Sequence, residues 1–436
     1  MTIAGPIIIE PGTFNCLNLG DLAMLQVAIC RLREAVPSAE IRVFTHDPEA
    51  LEASCPGALP VSAEARREWY AEHFFLGSVH SLLPRGASRT LVHAQHGMRR
   101  RYPRFMGSAM RIRAHLSLPR WKELRSFLSL MERAGLLVVA GQHTIADAFY
   151  SRARNLLETL ETAILKGIPT IMLGQGIGPI TDRELLARAR DVLPSVGIIA
   201  VREPNIGPPV LRSLGVSDSN VFLTGDDAVA PAFAASGRAT RVGLGVNLRV
   251  TSVAGVDSSA IARVRRPLGD IARSHGVSLT PLPSAYRGAA RDEETLRLLL
   301  GNELSDVTGD WGMATVESLI ERVGSCRVVI AGAYHVAVFA LAQGIPVVAL
   351  VQSDYYRSKY VGLESLFGVG CETVLLDDPK LDEKLREAVA RAWERADEMR
   401  PVLLAAAERQ VRWAETAFAR AMAIADSPMG AHPRAG

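Results

Sequence analysis

Three side chains that can bind anions or move protons follow apolar runs that predict buried strands. His335 follows the run at residues 328–330 after a short turn, and Arg202 and Arg249 leave similar runs. Because ligands of parallel α/β sheets bind at the carboxyl ends of strands, we expect these side chains at one cleft. A histidine on the first turn of a helix there can exchange a proton near neutral pH, beside amides that attract an anion. Two simpler interpretations also fit the spacing. In one, His335 is an ordinary packed histidine; in the other, Arg202 forms an ion pair with Glu203 or another carboxylate.

The first loop of the chain carries polar residues just before a helix. The letters NLGD occupy residues 18–21, and one apolar face then runs through residues 22–36 at steps of three and four. Asn18 and Asp21 stand where side chains cap a helix, and Gly20 fits a turn. The pattern predicts either a simple helix cap or a loop that faces a ligand at the sheet edge.

Strand patterns alternate with helix patterns along two stretches of the chain. This alternation predicts an α/β fold with two doubly wound parallel-sheet (Rossmann-like) domains that face each other across a cleft. Residues 234–240 have the composition of a linker. The predicted units are an N-terminal domain at residues 1–235 with an irregular basic insertion at about 64–133, a C-terminal domain at 240–378, helices at 379–425 with a stop at Pro401, and a loose tail at 426–436.

The composition is that of a globular protein without a dominant charge. The chain has 436 residues, of which 48% are hydrophobic and 22% charged, and its formal net charge is +3. Such a length predicts two or three domains, and the charge balance argues against a nucleic-acid partner. The apolar start at residues 7–9 lies between Pro6 and Pro11. It predicts a first strand rather than a signal peptide or a membrane span.

The residues that commonly hold metals or form disulfides show no such pattern in the sequence. The five cysteines are odd in number and include no CxxC pair, which predicts a reduced, cytoplasmic protein without structural zinc. The sequence contains no HExxH motif, and His93 and His96 fall in the irregular segment. We therefore expect no metal.

A basic stretch at residues 99–133 interrupts the regular alternation. It holds nine arginines and one lysine against two glutamates, with aromatic residues between them. This composition fits contact with an anionic or lipid-linked acceptor, or peripheral contact with a membrane surface. A solvated helical face over the core is the alternative explanation. The sequence does not indicate an oligomeric state.

The segment around His335 resembles the polysaccharide pyruvyl transferase family. Residues 335–346 read HVAVFALAQGIP, similar to the family form HaavFAlxxGxPvv after a strand and a short turn. Residues 354–359, DYYRSK, are similar to the family's tyrosine and lysine segment. Further similar segments are NLGD at 18–21, GQGIGP at 174–179, RE at 202–203, TGDDA at 224–228 and NLR at 247–249. The resemblance covers most of the chain outside residues 60–133.

This resemblance implies a GT-B-like fold and a transferase. Its members move the pyruvyl group of phosphoenolpyruvate to hydroxyls of a sugar or polysaccharide precursor, usually as a ketal. Phosphoenolpyruvate is then the donor substrate, the acceptor is a sugar or lipid-linked glycan, and no cofactor is implied. The resemblance gives His335 the role of general acid/base. The substrate-binding residues that it implies are Arg202, Arg249, Lys359, Asn18, Gly20 and Asp21.

Two segments depart from the family pattern. Ala333 and Tyr334 stand where many members have a turn with an arginine, and Gln142 and His143 stand where paired glycines are usual. The departures leave two other functions open. One is a GT-B-type glycosyltransferase that uses a nucleotide sugar, and the other is a non-catalytic sugar-binding relative.

Overall fold

The structure is a computed structural model that describes most of the chain. The described residues are 3–66, 120–237, 241–251, 253–285, 292–301 and 315–426, together with residues 94, 98, 101 and 102. Residues 427–436 of the predicted loose tail and most of the basic stretch, including Arg99 and Arg100, lie outside them.

A parallel sheet of eight strands forms the centre of the first domain. Its strand order is β3-β2-β1-β4-β6-β7-β8, and β5 pairs with the end of β6. Most of these strands are buried on both faces, which explains their unbroken apolar runs. The strands are β1 (Ile7–Glu10), β2 (Ile41–Thr45), β3 (Leu59–Ser62), β4 (Leu136–Val139), β5 (Gln142–Ile145), β6 (Thr170–Ile177), β7 (Ile198–Val201) and β8 (Val221–Leu223).

Helices cover both faces of this sheet, and the first of them begins at the loop that carries NLGD. Its apolar residues pack inward at the predicted spacing. The helices are α1 (Leu19–Ala35), α2 (Pro48–Ser54), α3 (Arg120–Arg133), α4 (Tyr150–Leu165), α5 (Arg183–Val192), α6 (Gly207–Ser213) and α7 (Val229–Ala234).

A second parallel sheet of five strands forms the other domain, in the order β10-β9-β11-β12-β13. Its strands are β9 (Gly243–Asn247), β10 (Leu279–Pro281), β11 (Cys326–Ala331), β12 (Val347–Val351) and β13 (Cys371–Leu375). The helices are α8 (Ser258–His275), α9 (Asp292–Leu300), α10 (Val316–Gly324), α11 (Tyr334–Ala342), α12 (Asp354–Phe367), α13 (Leu381–Glu394) and α14 (Ala396–Ala425).

The two parallel sheets confirm the predicted fold class of two doubly wound α/β domains. The first sheet ends at Leu223 and the second begins at Gly243, so the segment with linker composition lies between them. The exact domain boundaries remain a prediction, and residues 238–240 lie outside the described part of the chain.

Residues 120–133 form helix α3, whereas an irregular insertion was predicted for residues 64–133. Leu124, Phe127, Leu128 and Met131 follow steps of three and four and are almost fully buried in the core of the first domain. Arg125 and Arg133 are exposed, so these two basic residues occupy the solvated face of a packed helix. An acceptor or membrane contact of the remaining stretch stays a prediction.

The C-terminal helices also differ from the prediction, since Pro401 does not stop a helix. The interruption between the two helices lies at Arg395 instead, and Pro401 lies inside α14. A proline this close to a helix start removes one backbone hydrogen bond, to the carbonyl of residue 397, while the flanking turns stay intact. Helix α14 returns to the first domain, where Ile424 packs beside Gly197. None of the described helices is long and apolar enough to cross a membrane.

Helix α11 lies between the domains and is buried on every side. All nine of its residues are buried. The reason is that α7, α10, α12 and α14 all pack around it. A helix enclosed in this way holds its first turn, with His335, in a fixed place.

Candidate active site

A cleft between the two domains gathers most of the residues predicted to do chemistry. It encloses about 220 Å³ at the carboxyl ends of the strands. Four of its lining side chains are basic, and Asp21 is the single acidic residue among the described residues that line it. The lining includes Asn18, Asp21, Gln142, His143, Phe149, Arg152, Arg202, Arg249, Tyr334, His335, Tyr355, Tyr356 and Lys359.

The turn before His335 is held by the buried side chain of Asn247. Its Oδ1 accepts a hydrogen bond from the amide of Ala333 at 2.8 Å, and its Nδ2 donates to the carbonyl of Leu282 at 2.8 Å. Ala333 is the N-cap of α11 and offers no capping side chain. The first-turn amides of α11 are therefore available to an anion in the cleft.

His335 lies directly against α1 of the other domain, at Gly20. A Cβ atom built on Gly20 would come within 1.9 Å of the imidazole Cγ. Gly20 does not line the cleft in the way predicted for a substrate-binding residue. Its missing side chain instead makes room for the histidine.

We expect Gly20→Ala to lower turnover by about a hundredfold, because a shift of about 1 Å in a general acid/base, the role expected for His335, can cost that much. Alanine favours a helix more than glycine does, so helix propensity itself does not destabilise α1. Steady-state kinetics together with thermal unfolding check this expectation. A folded Gly20→Ala protein with full turnover would show that the position of the imidazole is not critical.

Asp226, at the end of the loop after β8, links His335 to Arg202. Its Oδ2 lies 3.6 Å from His335 Nε2 and accepts a hydrogen bond from Arg202 Nη1 at 3.1 Å. The first distance exceeds a normal hydrogen bond, and Nε2 has no hydrogen-bond partner among the described residues. Burial acts to raise the pKa of Asp226, but His335 and Arg202 outweigh it and hold this pKa below its usual value. Asp226 therefore stays ionised and places a negative charge beside His335.

Arg202 is only 2% exposed and is held in place on several sides. Besides Asp226, its Nη2 lies 3.1 Å from Nδ1 of His143, and its guanidinium lies 4.6 Å from the ring centroid of Tyr334. The ion pair weighed from the sequence therefore exists, but with Asp226 as the partner. Glu203 instead accepts hydrogen bonds from the amides of residues 205–207 at the start of α6.

Lys359 reaches the cleft from α12 across three tyrosine rings. Its Nζ lies 4.4 Å from the ring centroid of Tyr334, 5.2 Å from that of Tyr355 and 5.3 Å from that of Tyr356. Tyr355 and Tyr356 precede Lys359 by four and three residues, so they share one helix face with it. Burial, together with the charge of Arg202, lowers the pKa of Lys359 well below its usual value. An anion bound beside Lys359 would oppose this shift.

Arg249 enters the cleft from the loop after β9. Its Nη1 lies 3.4 Å from Oγ of Ser284, and the hydroxyl of Ser284 donates to Asp292 at 2.7 Å. Asp292 is buried and also accepts hydrogen bonds from the amides of Ser284 and Ala285. This carboxylate fixes the loop, while Arg249 itself remains half-buried and open to a ligand.

Asn18 caps α1, as the simpler interpretation of NLGD predicts. Its Oδ1 accepts hydrogen bonds from the amides of Gly20 at 3.1 Å and Asp21 at 3.4 Å. The next amide, of Leu19, donates to the carbonyl of Ser284 in the other domain at 3.0 Å. Asp21 lines the cleft, and its carboxylate forms no ion pair with the described residues.

The structure brings together all seven residues predicted for the site, six in the cleft lining and Gly20 against His335. Asp226, His143 and the tyrosines of α12 were not predicted as site residues. Asp226 follows the end of a strand, as Arg202 and Arg249 do, and this position in the sequence could have marked it as a site residue. Among the described residues no group of His, Cys, Asp or Glu side chains could hold a metal ion.

Comparison with known proteins identifies the family. The model of the polysaccharide pyruvyl transferase family matches residues 18–354. The chain belongs to this family. The match begins at Asn18 and spans Arg202, Asp226 and His335. A search of curated protein sequences finds no match.

The fold of this pyruvyl transferase family member is shared with nucleotide-sugar enzymes. The epimerase from Neisseria meningitidis bound to UDP-GlcNAc aligns with a TM-score of 0.54 and 8% identity, over 96% of this chain and 100% of the other. A putative UDP-N-acetylglucosamine 2-epimerase from Listeria monocytogenes aligns with 0.52 and 10%, over 95% of each chain. Os79 from O. sativa aligns with 0.52 and 15%, over 95% of this chain and 100% of the other. These similarities confirm the predicted GT-B-like fold.

Proposed function

We propose that this family member transfers the pyruvyl group of phosphoenolpyruvate to hydroxyls of a sugar or glycan precursor. The observation that carries the proposal is the charge of the cleft: four basic side chains and an uncapped helix start surround a histidine–carboxylate pair. A donor with a phosphate and a carboxylate supplies the negative charge that this arrangement lacks.

His335 is suited to both proton transfers of such a reaction. As an imidazolium beside Asp226 it gives a proton to C3 of the donor, and positive charge develops at C2. An acceptor hydroxyl then forms a bond to C2 and returns its proton to His335. When a second hydroxyl adds to C2, the bond from C2 to the phosphate oxygen breaks, and the phosphate leaves with the second proton. The product is a ketal.

Arg249 and Lys359 are more open to the donor than Arg202, which is almost fully buried. We expect Arg249→Ala and Lys359→Ala each to weaken phosphoenolpyruvate binding by about 1.5–3 kcal/mol, the range for a hydrogen bond to a charged group. Isothermal titration calorimetry measures this. Arg212→Ala and Lys380→Ala are matched controls, since both residues are exposed and distant from the cleft. Wild-type affinity in both cleft variants would remove these residues from donor binding.

The depressed pKa of Lys359 predicts a pH dependence of donor binding. A phosphate binds the ammonium form, so affinity is greatest below the pKa of Lys359 in the free protein and falls as pH rises through it. We expect the dissociation constant of phosphoenolpyruvate to rise with pH at values below the ordinary pKa of lysine. Lys359→Arg keeps its charge over this range and should flatten the profile. An equally steep profile in Lys359→Arg would assign the titration to another group.

The alternative donor is a nucleotide sugar, since one similar structure contains UDP-GlcNAc. Calorimetric titration of the full chain with phosphoenolpyruvate and, separately, with UDP-GlcNAc discriminates between the two functions. We expect saturable binding of phosphoenolpyruvate and its weakening by added inorganic phosphate. Binding of the nucleotide sugar alone would replace this proposal with a glycosyltransferase or epimerase function.

A further inference from the structure

His143 makes two hydrogen bonds that together define its chemical state. Its Nε2 lies 2.5 Å from the carbonyl oxygen of Gly178, and its Nδ1 lies 3.1 Å from Nη2 of Arg202. A carbonyl can only accept and a guanidinium can only donate. Both contacts form together only when the imidazole is neutral, with its proton on Nε2.

The surroundings of His143 favour this neutral form and fix the ring. Arg202 and Lys359 face the imidazole, and burial together with these two charges keeps the pKa of His143 well below its usual value. The ring lies 5.0 Å from that of Tyr355. Gly176 leaves room for it, since a Cβ atom there would come within 2.4 Å of Nδ1.

Arg202 consequently has two anchors in the plane of its guanidinium. Asp226 accepts from Nη1 and His143 accepts from Nη2, while Tyr334 contacts the face of the group. With one anchor the planar group can still rotate, whereas two anchors on different nitrogens fix the direction of the remaining N–H groups. Fixed N–H directions are what binding of a planar carboxylate or a phosphate requires.

We propose that His143 is a positioning residue whose neutral imidazole holds Arg202 in the orientation that binds the anionic donor. The inference rests on the proposed function, because it takes phosphoenolpyruvate as that donor. It assigns His143 no contact with the reacting atoms. Its effect on the donor passes entirely through Arg202.

A double-mutant cycle on phosphoenolpyruvate binding tests this dependence. The proteins are wild type, His143→Phe, Arg202→Ala and the double variant, each titrated by calorimetry and checked by thermal unfolding. Phenylalanine keeps a ring beside Tyr355 and removes both hydrogen bonds. We expect His143→Phe to weaken donor binding about tenfold in the wild-type background and less than about twofold in the Arg202→Ala background. The matched control is His275→Phe, since His275 stacks on Trp393 far from the cleft and should keep wild-type affinity.

Two further variants separate positioning from simple packing. Asparagine at residue 143 retains an oxygen that can accept from Arg202, so His143→Asn should bind the donor within about threefold of wild type. His143→Leu replaces His143→Phe if the latter does not fold. Equal losses in both Arg202 backgrounds, or an asparagine variant as weak as the phenylalanine variant, would overturn the inference alone. A wild-type protein that does not bind phosphoenolpyruvate would overturn the proposed function itself and, with it, this inference.

Discussion

Replacing His335 with alanine is expected to lower turnover by about two to four orders of magnitude, the usual effect of removing a general acid/base. The imidazole is fixed against Gly20 and lies 3.6 Å from the ionised Asp226, so a negative charge stands beside the group proposed to carry the proton. The measurement is the rate of phosphate release from phosphoenolpyruvate in the presence of a glycan acceptor. His275→Ala is the matched control, because it removes an imidazole that packs outside the cleft.

The same variant should still bind the donor, since the cationic side chains remain. A large loss of turnover with a nearly unchanged dissociation constant for phosphoenolpyruvate distinguishes a proton-transfer role from a binding role. A folded His335→Ala protein with wild-type turnover would remove His335 from the mechanism.

The second large effect is expected for Asp226→Asn, which should lower both stability and turnover. Asp226 and Arg202 form a buried ion pair, with side chains 1% and 2% exposed. Removing the carboxylate charge leaves the guanidinium buried and unpaired, which typically costs about 3–5 kcal/mol of unfolding free energy. Turnover should fall by about a hundredfold or more, because the imidazolium of His335 loses its counter-charge as well.

Denaturant unfolding and steady-state kinetics measure the two effects. Asp218→Asn is the control, because the pair of Arg212 and Asp218 is exposed and should contribute no more than about 1 kcal/mol. The pKa of Asp226 is depressed in the folded protein, so its stabilisation is present above the pKa of an unfolded aspartate and is lost as pH falls. The wild type should therefore lose stability on acidification, and Asp226→Asn should lose less. Equal acid sensitivity of the two proteins would contradict the assigned ion pair.

The sequence could predict the fold and the strand-end residues because both follow from local patterns. Buried strands appear in the sequence as apolar runs. The carboxyl ends of these strands lie at the sheet edges that face the cleft, so the residues that follow them reach it, namely Arg202, Arg249 and His335. The distance from His335 to Asp226 could not be predicted in this way. It depends on how α11 of one domain packs against the loop after β8 of the other, and no periodicity encodes that contact.

The protonation state of a side chain could not be predicted from the sequence either. The neutral tautomer of His143 follows from two hydrogen-bond partners that are distant from it in the chain. The depressed pKa of Lys359 follows from burial among three rings and a neighbouring arginine. Helix α3 differs from the prediction for the opposite reason. Its apolar steps of three and four were present in the sequence, but the arginine-rich stretch at residues 99–133, of which it is the end, concealed them.

The proposed function places the anionic donor beside His335 in the cleft between the domains. A crystal structure of the wild-type protein with phosphoenolpyruvate tests this most directly. We predict density for the donor phosphate or carboxylate next to Arg249 and Lys359, with C3 of the donor within proton-transfer reach of the His335 imidazole. A cleft that stays free of phosphoenolpyruvate at saturating concentration, or a donor bound away from His335, would contradict this mode of binding.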